Sequence, residues 1–111
     1  MDFFNWLYGT FTRRGKALWH YRCGMEHANS RQHRLAIDCY SAVIKMPKGP
    51  ADVQAMARYN RALVFATLGQ QQAAVDDLEF VLAMKLKLTD IKNAARQRLL
   101  RMKSQAARDG V

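Results

Sequence analysis

No stretch of this chain approaches the roughly 20 apolar residues that a membrane-spanning helix needs, and almost nothing in it reads as a β-strand. Acidic residues are scarce: nine Asp and Glu stand against 18 Lys and Arg, leaving a net charge of +9. The two prolines, Pro47 and Pro50, fall within one four-residue stretch, so helical structure is interrupted there and not elsewhere by proline. Only two cysteines occur, Cys23 and Cys39, and both fit reduced, packed thiols. The sequence has no nucleophile elbow, no phosphate-cradling glycine loop and no His-Glu-x-x-His motif. An enzyme is therefore not expected, and no cofactor or metal is implied. The apolar start, Met1 to Phe11, precedes its arginines and lacks a small-residue cleavage site, the reverse of a secretory signal. The expected location is cytoplasmic.

What the chain does contain is a repeat. Residues 17–46 reappear 38 positions later, with identities at Ala17/Ala55, Tyr21/Tyr59, Ala28/Ala66, Gln32/Gln70, Ala36/Ala74, Asp38/Asp76, Val43/Val81 and Met46/Met84. A fixed period of this size marks stacked supersecondary units. Such arrays present an extended surface to a partner. Half of the 111 residues are hydrophobic, enough for a real core.

Apolar residues recur at three and four, the helical period. The pattern predicts a helix from Arg13 to about Asn29, a polar break, and a second helix from about His33 to Met46. Asp52 is placed to cap a third helix that runs to about Leu68 and stops at Gly69. Gln71 to Met84 forms its antiparallel mate. A last helix from Thr89 or Asp90 to about Ser104 continues the repeat through Asp52/Asp90, Ala57/Ala95 and Arg58/Arg96. The expected organisation is thus an aromatic segment (1–12), two repeats (13–50 and 51–88), a capping helix (89–104) and a frayed tail (105–111).

The repeat resembles the tetratricopeptide repeat, whose helix-turn-helix unit follows Trp-x2-Leu-Gly-x2-Tyr…Ala-x3-Phe…Pro. The matching positions are His20, Cys23, Gly24, His27, Ala36, Tyr40 and Pro47 in the first unit. In the second they are Arg58, Arg61, Ala62, Phe65, Ala74 and Leu78. The small residues Gly24, Ala62, Ala36 and Ala74 fall where helices cross. The period of 38 exceeds the family's 34, and the Pro47–Ala51 connection absorbs the difference. The resemblance implies an all-α, solenoid-like stack that serves as a non-enzymatic adaptor.

It also implies a concave groove lined by the first helix of each unit. In this chain those residues include Tyr21, Arg22 and Met25, then Tyr59, Asn60 and Leu63, then Arg98 and Arg101. Arg22, Asn60 and Arg98 are spaced by 38 and should line up as a row across it. Some family members use such a row to grip a terminal carboxylate; Asn60 and Arg98 match two positions of that clamp, while Leu18 and Ala94 replace its lysines. The implied partner is another protein with an acidic or carboxylate-bearing segment.

Other features have rival readings. His20, Cys23 and His27 share one helix side and could offer zinc ligands, but they occupy the repeat's packing columns, the reading preferred here. Asp76, Asp77 and Glu79 read as a solvated face. Phe3, Phe4, Trp6, Leu7, Tyr8 and Phe11 either fold back over the first helix pair, which is preferred, or anchor a second copy or a membrane interface. Charge is segregated: residues 1–34 carry +4, residues 35–84 carry −1 and residues 85–111 carry +6. The alternative function is accordingly a basic helical protein on nucleic acid or an anionic membrane surface, using Lys85, Lys87, Lys92, Arg96, Arg101 and Lys103.

Overall fold

Alanine-rich and leucine-rich segments with few β-branched residues favour helix, and helix is what forms. The computed structural model describes residues 12–110, which hold five α-helices and no strand. They are α1 (Arg13–Asn29), α2 (His33–Ile44), α3 (Ala51–Thr67), α4 (Gln71–Ala83) and α5 (Thr89–Arg108). The aromatic segment expected to cover the first pair lies outside the described residues. No helix among those described is long and apolar enough to cross a membrane.

The helix starts keep the 38-residue spacing: Arg13, Ala51 and Thr89 open one series, and His33 and Gln71 open the other. The hydrogen bonds at the helix ends repeat with it. α1 ends with Gln32 N–H donating to His27 C=O (2.8 Å) and Arg31 N–H to Ala28 C=O (3.1 Å). α3 ends with Gln70 N–H on Phe65 C=O (2.8 Å) and Gly69 N–H on Ala66 C=O (3.0 Å). Both are Schellman closures, which need a left-handed residue at the turn. Gly69 supplies it at φ 78°, whereas Arg31 adopts φ 59° with a full side chain.

A second repeated device closes α2 and α4. Gln54 Nε2 donates to the carbonyls of Val43 (3.1 Å), Ile44 (3.3 Å) and Met46 (3.2 Å), satisfying the orphan acceptors of the α2 terminus. Thirty-eight positions on, Lys92 Nζ donates to Met84 C=O at the end of α4.

α1 lies against α2 and α3 against α4; α3 also touches α2 and, more lightly, α1, while α5 touches α4 and, more lightly, α3. Small residues make these contacts close. Ala17, Ala36, Ala55, Ala57, Ala74 and Ala95 are fully buried, and Ala62 is 1% exposed. Gly24 lies beneath Tyr40: a Cβ there would sit 2.5 Å from Tyr40 Cε1. In the next unit the equivalent pair is Ala62 with Leu78, so a methyl group is tolerated opposite the smaller aliphatic side chain. Two core clusters result, one around Tyr40, Val43 and Val53, the other around Leu78, Val81 and Ala95.

Three expectations are corrected. Asp52 does not cap α3, which starts after Pro50 with no side-chain cap. Instead its carboxylate accepts two bonds from Arg14, at 3.0 and 2.8 Å, and that pairing holds its pKa below the usual carboxylate range. Asp77 is not on a solvated face: it is 3% exposed and lies between α4 and α3. The last helix does not fray after Ser104 but runs to Arg108. Ala106 and Ala107 favour helix, and Arg108 suits the negative end of its dipole. Bonds from Arg108 to Gln105 (3.0 Å) and from Gln105 to Asp109 (3.2 Å) tie the final turn.

Candidate functional site: two related concavities

α1 and α3 run side by side, and their C-terminal halves frame a hollow with the start of α2. Met25, Ala28 and Asn29 come from α1, His33 and Tyr40 from α2, and Asn60, Leu63, Val64 and Thr67 from α3. The hollow measures about 240 Å³. Asn60 spans it at one side: its Nδ2 donates to Tyr21 Oη (3.0 Å) and to Met56 C=O (2.9 Å). Burial pushes the Tyr21 phenol above its ordinary pKa, and the Asn60 bond opposes that shift. Behind it, burial pushes Tyr40 up to about 12, and its ring lies 5.9 Å from that of Tyr21, centroid to centroid. Both tyrosines are therefore neutral hydroxyls at physiological pH.

A second and larger concavity, about 1090 Å³, opens between α4 and α5. It repeats the first. Ala28, His33, Asn60, Leu63, Val64 and Thr67 line the smaller hollow, and Ala66, Gln71, Arg98, Arg101, Met102 and Gln105, each 38 positions on, line the larger. The chemistry changes between them: an amide and a leucine in the first become Arg98 and Arg101 in the second. Lys103 and Arg108 add further positive charge at its edge, against Glu79 and Asp109.

Two buried side-chain nitrogens among the described residues have no hydrogen-bond partner, His33 Nδ1 and Arg98 Nε. One borders each concavity. A buried donor left unpaired is costly, and Arg98 Nε can only donate. An acceptor, above all a carboxylate, would satisfy it.

The residues singled out in the sequence are distributed as follows. Tyr21 and Asn60 are bonded to each other, and Met25, Asn60 and Leu63 line the smaller hollow. Arg98 and Arg101 line the larger. Tyr59 packs against the second core cluster. Arg22 is exposed and borders neither hollow. The row of Arg22, Asn60 and Arg98 therefore does not converge on one ligand position. Both amide hydrogens of Asn60 are engaged within the protein, leaving only its carbonyl oxygen for a ligand. His33 was not singled out for the groove; its offset of 38 from Gln71 was the available signal.

The remaining polar constellations make their contacts within the protein. Asp77 accepts from Arg61 Nε (2.8 Å) and Nη2 (2.7 Å) and from Arg58 Nη1 (3.1 Å), and Arg61 Nη1 reaches Ser41 Oγ (2.9 Å). The Arg58 guanidinium lies 3.6 Å from the centre of the Phe80 ring. Its burial pulls the Arg58 pKa down, and the Asp77 charge opposes that. His27 Nδ1 pairs with Gln32 Oε1 at 2.7 Å, and His20 meets Trp19 edge to face at 5.0 Å. No group of three or more His, Cys, Asp or Glu is gathered for a metal among the described residues.

Comparison of the chain with protein-family models, with curated proteins and with solved structures gives no match. Among its described residues the protein is all-helical, with two concavities whose lining residues recur at a spacing of 38.

Proposed function

We propose that this protein is a non-catalytic adaptor of the tetratricopeptide type, and that its larger concavity holds an acidic segment of another protein. The observation that carries the proposal is the unpaired, buried Nε of Arg98 in a hollow shared with Arg101, Lys103 and Arg108. A carboxylate entering there gains a charge-assisted hydrogen bond from Arg98 Nε, which otherwise lacks a partner. The tetratricopeptide reading is supported by helix starts, terminal closures and concavities that all recur at 38 residues. Equivalent side chains are thereby carried to equivalent places along one surface.

Acidic peptides with a free or an amidated C-terminus separate a terminal carboxylate from a side-chain one as the recognised group. Arg98→Ala should weaken whichever binds by roughly 1.5–3 kcal/mol, the usual scale for hydrogen bonds to a charged group. Lys48→Ala, in the exposed loop before α3, should change binding little. Equal losses from both variants, with affinity that tracks only salt, would replace the proposal with diffuse attraction to polyanions such as RNA.

A further inference from the structure

The two concavities differ in what they can recognise, and they are one repeat step apart. The smaller is lined by Met25, Ala28, Leu63 and Val64, with no lysine or arginine on its walls. Its volume of about 240 Å³ is ample for a leucine or phenylalanine side chain, since a cavity of about 150 Å³ already admits benzene. Met25, 41% exposed, stands open to solvent at its edge. The larger concavity offers the unpaired Arg98 Nε and Arg101 at the positions that Asn60 and Leu63 occupy in the smaller.

We infer that the segment accepted by this protein is bipartite and extended, with an apolar side chain seated among Met25, Leu63 and Val64 and an acidic residue about three positions away on Arg98. The inference rests on the adaptor reading above and specifies its ligand. The spacing follows from the stacking. Helices in contact lie about 8–10 Å apart, α1 touches α3 and α3 touches α5, and the same hollow recurs at each step. An extended chain rises about 3.3 Å per residue, so one step corresponds to roughly three residues. The unpaired His33 Nδ1 in the smaller hollow leaves a hydrogen-bonding position for the backbone of the segment, which an extended chain exposes and a helix does not.

The test uses the full chain and fluorescein-labelled eight-residue peptides with blocked ends, read by anisotropy. Each carries one Leu and one Asp in a Ser/Gly background, in both orders, either adjacent or separated by two residues. One order with the two-residue separation should bind best. Changing its Leu to Ser should weaken binding about tenfold, as expected for losing a buried aliphatic side chain. Met25→Ser in the protein should shrink that Leu preference while sparing the Asp preference, and Arg98→Ala should do the converse. Equal affinity at both separations, or dependence on Asp without dependence on Leu, would overturn the bipartite ligand and leave the adaptor reading standing. Binding only by peptides with a free C-terminus would overturn the bipartite ligand and leave the adaptor reading standing, and no binding by any acidic peptide, blocked or free, would overturn both. Should Met25→Ser fail to fold, the peptide series alone decides.

Discussion

At the scale of single residues, the two units solve one packing problem in two ways. Where α1 crosses α2 the chain places glycine under tyrosine; where α3 crosses α4 it places alanine under leucine. Tyr40 is 1% exposed and cannot swing aside. Gly24→Ala should therefore strain the crossing by about 1–3 kcal/mol. This outweighs the roughly 0.5–1 kcal/mol that alanine gains over glycine within a helix. Adding Tyr40→Leu recreates the pairing of the second unit and should return much of the loss. Urea denaturation of the two single variants and the double variant measures the coupling. Additive losses would show that Gly24 is not held small by the tyrosine ring.

At the scale of elements, the contact between α3 and α4 combines small-residue packing with a buried charge cluster. Asp77 is nearly enclosed, and the Arg58 and Arg61 side chains beside it are 20% and 17% exposed. Removing one member of such a set leaves the others uncompensated. Asp77→Ala should cost about 3–5 kcal/mol by that mechanism, read as a lower urea midpoint. Glu79→Ala, on the exposed side of the same helix, should stay within about 0.5 kcal/mol, as surface substitutions usually do. By contrast the Arg14–Asp52 pair joins α1 to α3 at the surface, where screening makes ion pairs weak contributors.

At the scale of the whole molecule, α5 completes the second unit. Ala95 is fully buried, and Ile91, Leu99 and Met102 pack against the cluster formed by Ala62, Ala74, Leu78 and Val81. Deleting residues 89–111 should expose that cluster. The expected loss is on the order of 4 kcal/mol, the scale of a few partly buried aliphatic side chains, a large share of a small domain's stability. Thermal melting should show a lower, broader transition with binding of a hydrophobic dye. An unshifted melting curve would mean that α5 is an appendage and not a cap. The same deletion removes Arg98 and Arg101, so a folded remnant should also lose affinity for acidic peptides.

The repeat was legible in the sequence because equal spacing needs no knowledge of the fold; the three-and-four pattern with its polar and proline breaks placed the five described helix starts within about two residues, and the identity of Ala36 with Ala74 marked buried crossings. The basic character of the last segment was equally plain, since charge is counted and not folded. Local pattern could not say where an acidic side chain goes. Asp77 looks like its neighbour Asp76, yet one is buried between two arginines and the other is exposed, because the choice depends on a helix that meets it 16 to 19 residues away in the chain. Likewise Asn60 reads as a free donor until Tyr21 and Met56 occupy both of its hydrogens. Arg98 reads as one donor of a row across the groove until its buried, unpartnered Nε sets it apart from exposed Arg22. Period, helix and charge are properties of order along the chain; which polar group is spent on the fold and which is left for a ligand is decided only where distant helices meet.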